Sequence, residues 1–159
     1  MSKNLILVRH GRSTWNLEKK FTGWVDVELA EMGIEEAKKS GNLIKDINFN
    51  PQNCFTSYLK RAQNTLSYIL DELDIKETSH ISKSWALNER HYGSLQGLNK
   101  NETLNKYGEE QFLMWRRSYD TPPPELDTDS EMNPNNDPKY KDLKGVKLPL
   151  SECLKDTYE

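Results

Sequence analysis

The sequence predicts an α/β fold of three layers, in which helices cover both sides of a mainly parallel sheet. Two short apolar runs, at residues 5–8 and 54–57, are each followed along the chain by a segment with helical spacing of apolar residues. Strands and helices that alternate in this way are typical of a parallel sheet. Polar residues follow closely after each run, and ligands of open α/β sheets bind at these carboxyl ends of the strands.

The first two strands and helices follow from local patterns. Leu5-Ile6-Leu7-Val8 is a continuous apolar run, which is typical of a strand buried on both faces. A long loop over residues 11–30 follows, and the next apolar residues recur at helical spacing, which predicts an amphipathic helix over residues 31–47. The second pair has the same form, with a short strand at residues 54–57 and a helix that begins at Leu59.

The remaining segments predict smaller elements. An alternating segment from Ser79 to Leu87 predicts an edge strand, and two short helices fit residues 100–107 and 109–118. After Tyr119, a run of three prolines and two later prolines exclude a regular helix, so we expect a surface excursion there.

The length and composition limit the core. The chain has 159 residues and a formal net charge of −3, and a chain of this length is predicted to form a single domain over residues 1–159. Leu, Ile, Val and Phe account for 34 of the 159 residues, a fraction close to that below which chains do not collapse. The predicted core is therefore thin, which leaves open that the chain is part of a larger domain.

The composition also excludes several classes of protein. No apolar run approaches the ~20 residues of a membrane helix, and the first residues carry no secretory pattern, so we expect a cytoplasmic protein without membrane contact. Cys54 and Cys153 show no metal-ligand spacing and are predicted to be reduced thiols. No basic stripe accompanies the four tryptophans, which argues against nucleic acid as a partner.

Candidate catalytic residues follow the predicted strands. Arg9, His10 and Gly11 follow the first strand, Arg61 follows the second by a few residues, and Glu89 follows the third. Because the carboxyl ends of parallel strands meet at one edge of a sheet, we expect these side chains to lie together. A neutral imidazole as nucleophile, guanidinium groups that hold phosphoryl oxygens and a carboxyl group that carries a proton are what phosphoryl transfer through a phosphohistidine needs.

Each of these residues also has a structural interpretation. A histidine after a strand is often a satisfied structural residue, Arg61 can cap a carbonyl or pair with an acidic neighbour, and Glu89 can pair with Arg90. His91 is predicted to be a hydrogen-bonded structural residue. The pair Arg116-Arg117 is also favourable as a solvated helix end.

Longer motifs make the sequence similar to a known family. The motifs are Arg9-His10-Gly11-Arg12-Ser13-Thr14-Trp15-Asn16, Phe21-Thr22-Gly23-Trp24-Val25-Asp26, Ser57-Tyr58-Leu59-Lys60-Arg61-Ala62 and the block from Asn88-Glu89-Arg90-His91-Tyr92-Gly93 to Leu98-Asn99-Lys100. They closely resemble the cofactor-dependent phosphoglycerate mutases of the histidine phosphatase superfamily. The resemblance covers essentially the whole chain, and the last block separates the mutases from most of the phosphatases.

The resemblance implies a role for each matching residue. His10 carries the phosphoryl group, which 2,3-bisphosphoglycerate supplies, and Glu89 is the general acid and base; Arg9 and Arg61 complete the implied catalytic group. Metal is not implied, because arginines supply the positive charge. Thr22 and Gly23 touch the substrate carboxylate. The implied substrate-binding residues are Arg9, Gly11, Ser13, Asn16, Thr22, Gly23, Arg61, Glu89, Arg90, and, around the far phosphate, Tyr92, Lys100, Arg116 and Arg117.

The chain departs from the family at three points. The family's second catalytic histidine follows a later central strand, and none of the three histidines here, His10, His80 and His91, matches it. We therefore expect a domain that lacks its C-terminal part, in agreement with the thin core. Arg12 stands where the family commonly has glutamate, and Ala30 replaces the usual hydroxyl cap of the next helix, at a cost of about 1 kcal/mol.

Three functions follow from these observations. The resemblance implies interconversion of 3-phosphoglycerate and 2-phosphoglycerate in glycolysis and gluconeogenesis, with a small phosphorylated substrate and association as a homo-oligomer. The first alternative is a phosphatase in which water discharges His10, since a less enclosed pocket protects a phosphohistidine poorly. The second alternative is an inactive remnant that at most binds anions or a full-length partner subunit.

Overall fold

The computed structural model describes residues 4–76, 80–143 and 145–158, and these ranges contain a small parallel sheet with helices around it. The regular elements in chain order are α1 (Thr14–Leu17), α2 (Glu31–Asp46), β1 (Cys54–Thr56), α3 (Lys60–Glu72), β2 (Ile81–Lys83), α4 (Lys100–Tyr107), α5 (Glu109–Arg117) and α6 (Leu154–Tyr158). Short 3-10 turns lie at Trp85–Leu87, Gly93–Leu95, Pro134–Asn136 and Pro138–Tyr140.

Helices α2 and α3 pack along each other through small residues. α2 buries Gly33, Ala37 and Gly41, which recur at helical spacing. A Cβ atom at Gly41 would lie 2.7 Å from the Cβ atom of Glu72, so glycine permits the close approach of α3. The predicted helix over residues 31–47 is confirmed to within one residue, and it begins after Ala30 without a side-chain cap, as expected.

The two strands pair in parallel, as the alternation of elements predicts. In the register, Cys54 lies opposite Ile81 and Thr56 lies opposite Lys83. The predicted edge strand from Ser79 to Leu87 is only partly confirmed: β2 covers three of its residues, Ser79 lies outside the described residues, and Trp85–Leu87 form a 3-10 turn. The turn forms because the amide of Leu87 donates to the carbonyl of Ser84, three residues back.

The prediction that residues 5–8 form a strand buried on both faces is wrong. Leu5 is 80% exposed and Leu7 is 85% exposed, and the segment is extended without regular strand pairing in the described part of the chain. An apolar run becomes a buried strand only where neighbouring strands pair with its backbone and cover its side chains. Here the run forms one wall of a cavity of about 380 Å³, whose other wall is β1 and the inner face of α3. We call this cavity the apolar groove.

Two aromatic clusters hold the rest of the fold together. Phe21 packs with Leu95 and Phe112, which joins the long loop to α5. Trp24 packs with Tyr140 and Leu148. The proline-rich segment after Tyr119 holds no regular helix among its described residues before α6, as predicted. The prediction that it is a surface excursion is wrong, because Leu126, Tyr140 and Leu148 are buried in the core.

The C-terminal helices agree in part with the sequence. α4 matches the prediction for residues 100–107, and α5 ends one residue before the predicted 118. α1 lies inside the segment predicted as a loop, where the side chains of Ser13 and Asn16 form a reciprocal cap, and α6 has no counterpart among the predicted elements. Among the described residues, every helix is too short or too polar to cross a lipid bilayer.

Candidate active site

His10 and Arg61 meet at the centre of the site. The Nε atom of Arg61 donates to Nε2 of His10 at 3.3 Å. The other ring nitrogen, Nδ1, lies 2.7 Å from the carbonyl oxygen of Gly11. A carbonyl oxygen can only accept, so Nδ1 carries the ring proton and Nε2 keeps its lone pair. The ring therefore presents an unprotonated nitrogen on the side where Arg61 lies.

Arg61 is fixed by four contacts of its guanidinium group. Its side chain is 1% exposed, at the first turn of α3. Beyond its bond to His10, it donates to the carbonyl of Val25 at 3.0 Å and to that of Gly23 at 2.8 Å. It also pairs with Glu89 at 2.8 Å. The guanidinium thus joins α3, the loop at residues 21–26 and the loop that carries Glu89, and these contacts bring together the predicted catalytic residues His10, Arg61 and Glu89.

The carboxylate of Asp26 determines where the helix of Arg61 begins. Its Oδ1 accepts from the backbone amide of Lys60 at 2.7 Å, and its Oδ2 pairs with Lys139 at 2.9 Å. Because Leu59, the N-cap residue of α3, has no side-chain acceptor, Asp26 supplies the cap from a distant loop. Sequence reasoning did not single out Asp26 for this role, since the contact spans 34 residues.

Burial determines the protonation state of His10. Removal from water lowers the pKa of His10, and the positive charges of Arg61 and Arg9 lower it further. The hydrogen bond to Gly11 and the negative charge of Glu89 oppose this shift. The net effect is a pKa below the ordinary value of 6.5, so the imidazole is neutral at physiological pH.

Glu89 lies at the open side of the site. Its side chain is 37% exposed, and one carboxylate oxygen is bound to Arg61. It thus contacts both the buried guanidinium and solvent, which suits a group that exchanges protons with a bound hydroxyl.

A second cationic group adjoins the first. Burial lowers the pKa of Lys100, the charges of Arg116 and Arg9 lower it further, and the charge of Glu89 opposes this effect. The ammonium group of Lys100 donates to the carbonyl of Lys20 at 2.7 Å. The Nε atom of Arg116 is buried without a hydrogen-bond partner within the described part of the chain. Two sets of cationic donors therefore lie side by side, one of them with a free buried donor.

The other predicted binding residues divide into two groups. Ser13 and Asn16 bond to each other in the cap of α1, and Thr22 is buried in the loop that holds Arg61. Arg90 is buried and donates to the carbonyls of Glu152 and Arg116, so its guanidinium binds backbone in this structure. Gly11 and Gly23 contact His10 and Arg61 through their carbonyls, and the charge of Arg9 acts on His10. Tyr92 packs against Phe21, and Arg117 is exposed at the end of α5.

His91 is a structural residue, as predicted. It is fully buried, and its Nδ1 accepts from the amide of Gly93 at 3.0 Å. Burial lowers its pKa from 6.5 to about 4. Its own amide donates to Glu152 at 2.7 Å, which ties the C-terminal segment to the loop of Glu89.

The site contains a buried hydroxyl that sequence reasoning missed. Thr65 accepts from the amide of Gly11 at 3.0 Å. It stands four residues after Arg61 on α3, so both side chains lie on one face of the helix, and this spacing is the signal that could have indicated it. In the ranges that the structure covers, no three histidine, cysteine or acidic side chains are grouped as a metal site would require.

Comparisons with known proteins show the family to which the chain belongs and two curated relatives. Residues 5–134 match the model of the histidine phosphatase superfamily (branch 1). The chain is 54% identical over 155 residues to a 2,3-bisphosphoglycerate-dependent phosphoglycerate mutase of Hydrogenobaculum sp., covering 98% of this chain and 62% of that protein. It is 53% identical over 157 residues to the enzyme of the same name from Parabacteroides distasonis, covering 99% of this chain and 63% of the relative.

Solved structures show the same fold at lower identity. A mycobacterial glucosyl-3-phosphoglycerate phosphatase superposes with a TM-score of 0.60 at 24% identity, over 69% of this chain and 51% of that one. A phosphoglycerate mutase from Bacillus anthracis superposes with a TM-score of 0.54 at 24% identity, over 65% and 51% of the two chains. The chain spans a little over three fifths of the length of its curated relatives. From the match over residues 5–134 and the shared α/β fold, the chain belongs to the histidine phosphatase superfamily, branch 1.

Proposed function

We propose that this chain takes part in the interconversion of 3-phosphoglycerate and 2-phosphoglycerate through a phosphorylated His10. The observation that carries the proposal is the contact of Arg61 with His10 at 3.3 Å and with Glu89 at 2.8 Å. One guanidinium group therefore adjoins a neutral nucleophile and a carboxylate that reaches solvent. The two curated relatives, each named as a mutase, support the choice of reaction.

The chemistry follows from the protonation of the imidazole. The hydrogen bond from Arg61 to Nε2 of His10 breaks as the donor phosphoryl group enters, which frees the lone pair of Nε2. Nε2 then attacks phosphorus, the new P–N bond forms as the P–O bond of the donor breaks, and the departing oxygen takes the proton of Glu89, which is in its carboxylic acid form for this step. Arg61 and Arg9 stabilise the charge on the phosphoryl oxygens. The carbonyls of Val25 and Gly23 accept from Arg61 and hold its guanidinium group beside His10.

The cationic residues fit a ligand with two separated phosphates. When bound, 2,3-bisphosphoglycerate supplies the phosphoryl group that His10 receives. Lys100, Arg116, Arg117 and Tyr92 are proposed to hold the second phosphate, and the free buried Nε of Arg116 is a donor available for it. Thr22 and the backbone of Gly23 are proposed to bind the carboxylate.

The remaining residues of the predicted set are proposed to act around these groups. Ser13 and Asn16 shape the loop beside Gly11 through their shared cap. Arg90 is proposed to act through the carbonyls of Glu152 and Arg116 that it binds, rather than by touching substrate in this arrangement. The predicted single domain, cytoplasmic location and homo-oligomeric state stay predictions.

A phosphatase is the second candidate. His10 lines the open apolar groove as well as the cationic site, so water can approach the imidazole from that side. If water discharges the phosphohistidine faster than phosphoglycerate does, inorganic phosphate accumulates in place of the isomer.

The test is to mix the purified chain with 2,3-bisphosphoglycerate and to measure its intact mass at neutral pH, with His10→Ala as the control. We expect one phosphoryl adduct on the unmodified chain and none on the control. A folded chain that gains no adduct would overturn the proposal in favour of an inactive remnant. Product analysis then decides between the two activities: isomer formation supports the mutase, and release of phosphate in excess of isomer supports the phosphatase.

A further inference from the structure

Thr65 closes a ring of hydrogen bonds that contains both His10 and Arg61. Its hydroxyl donates to the carbonyl of Arg61 at 2.7 Å and accepts from the amide of Gly11 at 3.0 Å. The carbonyl of Gly11 binds Nδ1 of His10 at 2.7 Å, and Nε2 of the same ring accepts from Arg61 at 3.3 Å. The series of hydrogen bonds thus begins at the carbonyl of Arg61 and ends at the side chain of the same residue.

The direction of each bond in the ring is fixed by the number of available protons. A threonine hydroxyl has one proton, and Thr65 donates it to a carbonyl, so its oxygen is free to accept from Gly11. Both contacts are buried, with Thr65 only 4% exposed, so water does not compete for them. The peptide group between His10 and Gly11 is therefore held against α3, and the Gly11 carbonyl that follows it faces the imidazole.

We propose that Thr65 is a positioning residue, whose hydroxyl fixes the His10–Gly11 peptide so that the imidazole holds its proton on Nδ1 and presents Nε2. The residue acts through Gly11 and touches neither substrate nor the reacting atoms. Its consequence for phosphoryl transfer rests on the proposed function, whereas its effect on the imidazole does not.

The test compares Thr65→Val, which removes the hydroxyl and keeps the shape, with Thr65→Ser, which keeps the hydroxyl. The readout is the tautomer of His10 in long-range proton–nitrogen NMR spectra of the full chain at pH 7.5, with signals assigned by His10→Gln. His91 is an internal reference, because its Nδ1 accepts from Gly93 and its proton therefore stands on Nε2.

We expect His10 to hold its proton on Nδ1 in the unmodified chain and in Thr65→Ser. In Thr65→Val we expect a mixture of tautomers at His10 and unchanged signals from His91. The proposal is overturned if folded Thr65→Val keeps the Nδ1–H tautomer of the unmodified chain. It is equally overturned if Thr65→Ser and Thr65→Val change the tautomer of His10 to the same extent.

Hydrogen exchange on the unmodified chain tests the proposal even if Thr65→Val does not fold. The amide of Gly11 should exchange slowly, because its acceptor is buried. Exchange of that amide at the rate of an unprotected peptide amide would contradict this chain of hydrogen bonds.

A kinetic measurement connects the ring to the proposed function. With 2,3-bisphosphoglycerate as the donor, we expect phosphorylation of His10 to slow roughly ten- to a hundredfold in Thr65→Val, as for other small displacements of a reacting group. If no variant and no unmodified sample gains a phosphoryl group, the proposed function fails while the tautomer experiment still decides the role of Thr65.

Discussion

Gly11 and Gly33 face each other so closely that a Cβ atom on either would overlap the backbone of the opposite segment. A Cβ on Gly11 would meet the carbonyl of Gly33, and a Cβ on Gly33 would meet the backbone of Arg12, whose nitrogen would lie at 2.7 Å. The loop that carries His10 therefore rests directly on the first turn of α2. Because α2 also packs along α3, it contacts both the loop that carries His10 and the helix that carries Arg61.

Gly33→Ala should destabilise the chain, although alanine favours a helix more than glycine does. The added methyl group pushes the loop away from α2, and overpacking of this kind costs about 1–3 kcal/mol. Helix propensity alone predicts the opposite result, a gain of about 1 kcal/mol in the free energy of unfolding. Urea unfolding measures the difference, with Lys39→Ala on the exposed face of α2 as the matched control. A Gly33→Ala chain as stable as the control would contradict the close contact.

Arg61→Ala should reduce both stability and reactivity, whereas Arg9→Ala should reduce reactivity alone. Arg61→Ala leaves the buried carbonyl of Gly23, the partly buried carbonyl of Val25 and the carboxylate of Glu89 without their donor, and we expect a loss of about 3 kcal/mol in the free energy of unfolding. Arg9 is exposed, so Arg9→Ala should change the free energy of unfolding by no more than about 0.5 kcal/mol. Both variants should slow the phosphorylation of His10 by 2,3-bisphosphoglycerate. Equal stability losses in the two variants would show that the contacts of Arg61 contribute little.

Glu89→Gln should affect the reaction much more than the fold. The amide oxygen can still accept from Arg61, but the side chain no longer carries a proton, so phosphorylation of His10 should slow about 10²–10⁴-fold. The free energy of unfolding should fall by no more than about 1 kcal/mol, because the ion pair is partly exposed. Intact mass over time gives the rate, and Glu125→Gln on the surface is the control. An unchanged rate would remove Glu89 from the proposed mechanism.

The free energy of unfolding should decrease as the pH is lowered, because His91 is buried in its neutral form. Its pKa is about 4 in the folded chain and 6.5 when unfolded, so between these values the unfolded chain binds more protons. Its contribution is therefore lost as pH falls through this window, by about 2 kcal/mol between pH 7 and pH 5.

The measurement compares the pH dependence of urea unfolding in the unmodified chain and in His91→Asn. Asparagine does not titrate, and its carbonyl can accept from Gly93, so the variant should show the flatter dependence. Groups common to both chains, such as His10, cancel in the difference. An equal pH dependence of the free energy of unfolding in the two chains would show that folding does not lower the pKa of His91.

Local patterns in the sequence were sufficient to predict much of the fold. The bounds of α2 and α4 follow from apolar spacing and end signals that act within a few residues. The meeting of His10, Arg61 and Glu89 was also predicted, although residues 5–8, which precede His10, form no paired strand in the described part of the chain. These predictions need no knowledge of distant contacts.

The features that were predicted wrongly or missed depend on contacts between distant parts of the chain. Residues 5–8 have the composition of a buried strand, but burial depends on elements that pack on both faces, and composition does not reveal whether they are present. Asp26 and Thr65 act on residues 34 and 54 positions away, so their roles depend on tertiary contacts. The backbone contact of Gly11 with Gly33 is likewise invisible to a helical pattern, which treats Gly33 only as a small residue.

The apolar groove has a practical consequence for the behaviour of the chain in solution. Leu5, Leu7 and Phe55, which is 69% exposed, place apolar area in water along its walls, and such patches promote self-association. Attraction between apolar surfaces is not screened by salt, and it weakens on cooling. Cold, dilute samples of moderate ionic strength should therefore stay dispersed where warm or sulfate-rich ones cloud.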